Sequence, residues 1–213
     1  MSTVAVIDYG IGNLLSVQRG LEYCGANVEV TSNPKHILSA ARVVLPGVGA
    51  FGNAMAELQR RHLVEVVHEV VNAGIPFLGI CLGMQLLLSE SEEFGLTQGL
   101  NLIPGRVIPV PKKSTAGIPQ KIPHIGWSNL VLAKSRSNWN DTILSTISLV
   151  SSVYFVHSFM AVTENKAHRI ADCIYGGISI PAVVARDNIY GCQFHPEKSG
   201  EIGLKILQQF IAL

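Results

Sequence analysis

Two short stretches, far apart in the chain, hold the residue types that nucleophilic catalysis needs. Gly79-Ile80-Cys81-Leu82-Gly83 stands where an apolar strand, Pro76 to Ile80, leads into Met84-Gln85-Leu86-Leu87-Leu88, read as a helix. This is the GxSxG nucleophile elbow with sulfur in place of oxygen. Glycine on either side removes the side chains that would block a tight strand-to-helix turn. The turn lifts the nucleophile above the carboxyl edge of a sheet, where free backbone N–H groups favour thiolate and can bind an oxyanion. The bland alternative is a small buried hydrophobe, which is what most isolated cysteines are.

A thiolate needs a base, and the base needs an orienting group. Gln193-Phe194-His195-Pro196-Glu197-Lys198 follows an apolar strand near the C-terminus. His195 and Glu197 share one face if the chain stays extended, and Pro196 disfavours helix at His195. A carboxylate there can hold the imidazole tautomer while the other ring nitrogen faces sulfur. Taken alone, a His-x-Glu is more often a surface loop pair. The tripeptide also opens the zinc deaminase signature, but the PCxxC that must follow is absent. No histidine shows a zinc-like Cys/His spacing, so no metal and no cofactor is expected.

The elements that position these motifs alternate between strand and helix. Val4-Ala5-Val6-Ile7 reads as a strand buried on both faces, and Leu14, Val17, Leu21 and Cys24 recur at helical spacing. Asn27 to Thr31 and Arg42 to Leu45 read as strands, and Leu63, Val66, Val67 and Val70 mark a helix ended by Asn72-Ala73-Gly74. That order predicts an α/β fold with an open, mostly parallel central sheet and flanking helices. The second half is β-rich: Arg106–Val110, Val153–Val156, Ile170–Tyr175, Ala182–Ala185 and Ile189–Phe194. A last helix carries Ile202, Ile206, Leu207 and Phe210 on one face. Pro109 to Pro123, with four prolines, reads as a surface excursion. One domain over residues 1–213 is expected. Gly47-Val48-Gly49-Ala50-Phe51-Gly52 matches the dinucleotide motif GxGxxG, but no acid closes a following strand, and Glu65 and Glu69 fall in the amphipathic helix. Backbone N–H groups of such a turn can instead line an oxyanion hole.

Composition narrows the classes. Of 213 residues, 48% are hydrophobic and 15% charged, below the roughly 25% charged of an average domain. Disorder is thereby excluded, and a partly apolar surface awaiting a partner is suggested. The formal charge of +1 offers no net field for nucleic acid or an anionic membrane. Cys24, Cys81, Cys173 and Cys192 lack CxxC spacing, which points to reduced thiols and a cytoplasmic setting. The opening MSTVAVIDYG has no basic region before its apolar run and does not read as a signal peptide. The uncharged run Thr142–Thr163 holds five serines, three threonines and His157, a poor fit to hydrocarbon, so no membrane span is expected.

The elbow, the glycine-rich turn and His-Pro-Glu together resemble the triad (class I) glutamine amidotransferases, whose fold is flavodoxin-like. Tyr9-Gly10-Ile11-Gly12-Asn13, Leu45-Pro46-Gly47-Val48-Gly49, Pro123-His124-Ile125-Gly126-Trp127, Tyr154-Phe155-Val156-His157-Ser158 and His195-Pro196-Glu197-Lys198-Ser199 are similar to motifs of the glutaminase subunits of imidazole glycerol phosphate synthases. Phe159 departs from the tyrosine frequent there, and Pro109–Gln120 and Ala133–Ser152 match poorly. The resemblance implies a Cys81, His195, Glu197 triad that hydrolyses L-glutamine through a thioester. It implies an oxyanion hole at Val48, Gly49 and Leu82, and glutamine binding by Gln85, Glu93 and the segment His157, Ser158, Phe159. It further implies a heterodimer with a (β/α)8-barrel cyclase, with Asn13, Trp127, Tyr154 and Lys198 on the interface side. Ammonia is mostly ammonium at neutral pH, so the product has to pass unprotonated across a sealed contact. Within the resemblance, a paralogue feeding a different synthase, such as one making an amidino sugar of a surface glycan, has the same catalytic residues. Outside it, a binding subunit on a degenerate fold would not need the intact triad, and a general cysteine hydrolase would not explain Pro123 to Trp127.

Overall fold

The computed structural model describes residues 3–213, so the first two residues of the expected 1–213 domain lie outside it. The chain starts with β1 (Thr3–Ile7), α1 (Leu14–Tyr23), β2 (Asn27–Thr31), α2 (Pro34–Ser39) and β3 (Arg42–Gly47). It continues with α3 (Phe51–Arg60), α4 (Leu63–Asn72), β4 (Phe77–Cys81) and α5 (Leu82–Leu86). Strands β1 to β4 pair in parallel in the order β2-β1-β3-β4. Alternate residues of β1 enter different cores: Val4 and Val6 pack with Val17 and Leu21 of α1, Ala5 and Ile7 with the helices opposite. Burial on both faces is what the unbroken apolar run of a parallel strand encodes.

The second half supplies β5 (Leu88–Ser91), β6 (Thr97–Gln98), β7 (Ile103–Pro109), β8 (His124–Asn129) and β9 (Val131–Leu132). After these come β10 (Ser152–His157), β11 (Phe159–Thr163), β12 (Arg169–Tyr175), β13 (Ile178–Arg186), β14 (Ile189–Cys192) and α6 (Gly200–Ala212). Strand β14 pairs in parallel with β4, and β13, β12 and β9 extend the sheet antiparallel to a total of eight strands. Two further sheets, β11-β7-β5-β6 and β10-β8, flank it. The C-terminal strand thus lies next to the strand that ends in Cys81, which carries His195 to the same edge. Among the described residues, no helix is long and apolar enough to cross a membrane.

Three local readings change. The expected helix through Leu88 stops at Leu86, and Leu88 opens β5 by pairing with Ile103. Leu82 to Leu88 are all buried, and a continuously buried apolar run has no periodicity to separate helix from strand. Helix α2 was not expected, although Asn33 accepts the Lys35 N–H and Pro34 occupies its first turn. The GxGxxG run ends inside α3, whose second residue is Gly52.

Candidate active site

Cys81 closes β4 and precedes α5 with φ 55° and ψ −109°, a left-handed conformation for a residue with a side chain. Such a backbone costs about 1–3 kcal/mol and persists only where its surroundings fix it. The flanking glycines do so by close approach: a Cβ on Gly79 would lie 2.5 Å from the Gly83 carbonyl oxygen, and one on Gly83 would overlap the Leu45 carbonyl. Their bare backbones let α5 press onto β3 and β4. The result is a nearly buried cysteine at the carboxyl end of the central sheet.

His195 follows β14, and its Nδ1 lies 2.7 Å from Glu197 Oε1 with both side chains almost wholly buried. The chain does not stay extended there as expected: it turns at Pro196 into a short 3-10 helix through Lys198, which swings Glu197 back under the ring. Ser199 braces the turn, donating to the His195 carbonyl (2.6 Å) and accepting the Tyr154 N–H (3.0 Å). Because the carboxylate takes the Nδ1–H, Nε2 is the nitrogen left for chemistry, and it has no hydrogen-bond partner. Burial by itself would lower the imidazole pKa, but the Cys81 sulfur and the Glu197 carboxylate outweigh it and raise it to about 9. The site thus favours the charged imidazole at His195.

Cys81 and His195 line one cavity of about 310 Å³. Val48, Gly49 and Leu82, expected at the oxyanion hole, line it too, as do Gln85, Glu93, His157, Ser158 and Phe159, expected at the substrate. Several of these already have protein partners. One Glu93 oxygen accepts the Phe51 N–H at 2.6 Å, holding the first turn of α3 against the cavity. Gln85 is buried and donates to the Phe159 carbonyl (3.2 Å) and to Gln193 Oε1 (3.1 Å), so its role inside the protein is structural as well. The His157 side chain lies under the segment and donates Nδ1–H to the Phe159 carbonyl at 2.8 Å. Burial lowers its pKa to about 4, which keeps it neutral.

The residues expected at an interface do not line this cavity. Trp127 and Tyr154 are directly paired across β8 and β10, with ring centroids 6.0 Å apart in edge-to-face contact. Trp127 is 58% exposed, as is Ile125 at 53% on the same strand. Trp127 therefore lies on the surface, with Tyr154 half-buried beneath its edge. Lys198 is exposed on the turn behind the triad, and Asn13, half-buried, precedes α1 without capping it.

Three contributors were missed. Gln193 is fully buried with its Nε2 4.0 Å from Cys81 Sγ. Its place two residues before the histidine, on the inward face of an apolar strand, was the available signal. His124 stacks between Phe155 and Tyr175 and shares a 3.0 Å hydrogen bond with His157. Tyr9 donates to the Pro46 carbonyl at 2.9 Å, pinning the glycine-rich turn from below. Nothing local in the sequence pairs residues so far apart.

Such an arrangement can take a proton from a thiol, hold an imidazolium, and present backbone N–H groups to a tetrahedral oxyanion, the parts of an acyl transfer. The family model described as Glutamine amidotransferase class-I matches residues 5–213. The imidazole glycerol phosphate synthase subunit HisH 1 of Legionella pneumophila (strain Paris) is 53% identical over 213 residues, covering all of both chains. The HisH subunit of Geobacillus sp. (strain WCH70) is 45% identical over 210 residues, 99% of this chain and 96% of its own. Among solved structures, PurLQS from Thermotoga maritima superposes with a TM-score of 0.72 at 18% identity, covering 100% of this chain and 99% of that one, which establishes a shared fold. The family match over residues 5–213 and the full-length identity to HisH subunits make this chain a member of the class-I glutamine amidotransferase family, within its imidazole glycerol phosphate synthase HisH branch.

Proposed function

We propose that this chain is the glutaminase subunit of an imidazole glycerol phosphate synthase, hydrolysing L-glutamine and passing ammonia to a cyclase subunit that builds imidazole glycerol phosphate in histidine biosynthesis. The observation that carries the reading is the Glu197-held His195, with its free Nε2, lining the same cavity as Cys81.

In this reading Cys81 attacks the side-chain amide carbon of glutamine as its proton moves to His195 Nε2. Backbone N–H groups of Val48 and Leu82 hold the oxyanion, with Gly49 shaping the turn. His195 protonates the departing ammonia, leaving a γ-glutamyl thioester. Water, deprotonated by His195, then attacks the thioester carbon and releases glutamate and the free thiol. Glu197 keeps the imidazole in one tautomer and offsets its charge throughout. Glu93 and the backbone of His157, Ser158 and Phe159 bind the amino and carboxylate ends of glutamine.

The partner is a (β/α)8-barrel cyclase, seated on the face that carries Trp127, Tyr154, Lys198 and Asn13. The exposed Ile125 and Trp127 support that placement, since exposed apolar surface is what a permanent partner covers. The Gly47–Val48 peptide can turn its N–H toward or away from the oxyanion, so that acceptor binding in the partner selects the active orientation. The test is co-purification with the candidate cyclase, followed by glutamate release with and without acceptor. Acceptor-dependent release that Cys81→Ala abolishes supports the whole reading. Failure of the pair to restore a histidine auxotroph, with glutaminase activity intact, moves the assignment to a different synthase. Full turnover by the isolated subunit refutes the peptide switch.

A further inference from the structure

One carbonyl oxygen at the floor of the cavity fixes the orientation of a buried chain of side chains that ends on the nucleophile. The Phe159 carbonyl can only accept hydrogen bonds. It receives Gln85 Nε2 at 3.2 Å and His157 Nδ1 at 2.8 Å. Gln85 therefore points its NH2 group into the core, and the same group lies 3.1 Å from Gln193. Two NH2 groups facing one another would repel, so Gln193 presents Oε1 to Gln85. Its own NH2 is then turned, with no freedom to flip, toward Cys81 Sγ at 4.0 Å. Gln193 is 0% exposed and Gln85 5%, so neither has water as an alternative partner.

We propose that Gln193 is a further catalytic residue, whose buried amide N–H stabilises the Cys81 thiolate, with Gln85 as the positioning residue that keeps the amide from flipping. The inference rests on Cys81 being the nucleophile. An N–H aimed at a developing negative sulfur lowers the energy of the ionised form, and a low-dielectric, water-free setting strengthens the effect. Other groups near the sulfur are His195, which takes the proton, Tyr9, whose buried hydroxyl is held neutral and donates to the Pro46 carbonyl, and the Val156 carbonyl at 3.9 Å, which accepts from the thiol and favours its neutral form. Gln193 is the neutral donor that opposes that carbonyl. On the far side of Phe159, the same rule orients a second arm. His157 Nδ1 carries its proton, so its Nε2 accepts from His124 Nδ1, and His124 Nε2 accepts from the Ser128 hydroxyl at 2.9 Å. Both arms lock the carbonyl that sets the Gln85 amide.

The test is the rate at which iodoacetamide alkylates Cys81, followed by mass spectrometry of its peptide, in wild type, Q193M and Q193E. Methionine fills a similar volume and leaves Gln85 its bond to Phe159. Glutamate keeps the acceptor for Gln85 and the shape of the side chain. At pH 7 alkylation of Q193M is expected to be roughly fivefold slower, less than a hydrogen bond of normal length to a charged group gives, because the contact is long. Q193E, which brings an acceptor or a negative charge to the sulfur, is expected to be slower still. At pH 10, where an ordinary thiol is ionised without help, Q193M is expected to match wild type within about twofold. Equal rates at pH 7, or a deficit of the same size at both pH values, overturn the proposal, the latter because a packing defect would slow both. Q193E faster than Q193M overturns it as well. These arms do not need turnover, so a failure of wild type to release glutamate in complex with a cyclase would strike the glutaminase reading and leave the alkylation result to decide the role of Gln193.

Discussion

Replacing Glu197 by glutamine keeps the shape of the side chain and removes one charge beneath His195. A rise of the imidazole pKa from 6.5 to about 9, against the pull of burial, is worth roughly 3 kcal/mol in favour of the imidazolium. That sum is shared between the Cys81 sulfur and the Glu197 carboxylate, and both His195 and Glu197 side chains are at most 3% exposed, so solvent screens little of it. Glu197 Oε2 is buried without a partner, so the new NH2 group has no acceptor if glutamine keeps its oxygen on Nδ1. If it turns round, it takes the Nδ1 lone pair and forces the unproductive tautomer. Half of the 3 kcal/mol is about a tenfold loss, and the misplaced donor adds to it, so kcat for glutamate release in the cyclase complex is expected to fall by about 10- to 100-fold. The His195 titration, followed by NMR of the ring, is expected to move from about 9 toward 6.5. The stability consequence has a defined sign. A raised histidine pKa stabilises the fold fully below 6.5, and that contribution is lost as pH rises through about 9. The pH-dependent part of the E197Q deficit should thus be largest below pH 6.5 and shrink by pH 9. An E197Q protein with kcat within threefold of wild type and an unmoved His195 titration would refute the reasoning.

Other consequences are equally direct. His157, lowered to about 4 by burial, stays neutral while its unfolded counterpart protonates below 6.5, so folding stability should fall as pH drops from 6.5 toward 4, by up to roughly 3 kcal/mol. Urea midpoints across that range check it, and H157N should flatten the acid side. A Cβ at Gly83 would overlap the Leu45 carbonyl, so G83A should lose roughly 3 kcal/mol or more and most Cys81 alkylation, read by melting and mass spectrometry. Removing the Glu93 carboxylate from the Phe51 N–H should cost about 1 kcal/mol in melting and raise KM for glutamine more than it lowers kcat.

Much of this arrangement is legible in the sequence, for identifiable reasons. Strands β1, β3 and β4 announce themselves because parallel strands buried on both faces are largely apolar runs, as in Val4 to Ile7 and Phe77 to Ile80, whereas β2, at the sheet edge, alternates polar and apolar residues. The elbow is readable because its strain needs glycine at Gly79 and Gly83, and His195 with Glu197 because their pairing is local. Strands β5, β6, β8, β9 and β11 were not read: β6 and β9 have two residues each, and β8, HIGWSN, alternates inward and outward but turns its large apolar residues, Ile125 and Trp127, to the exposed side. The polar chain through Gln193, Gln85, His157 and His124 joins four distant segments, and only tertiary pairing brings it together.

The central claim is that Cys81 and His195 act as one nucleophilic unit on glutamine. An electrophilic glutamine analogue, incubated with the cyclase complex and mapped by mass spectrometry, tests it most directly. Labelling of Cys81 alone among the four cysteines, suppressed by glutamine and slowed in H195A, is the expected result; labelling at another cysteine, or glutamate release that survives C81A, contradicts the account.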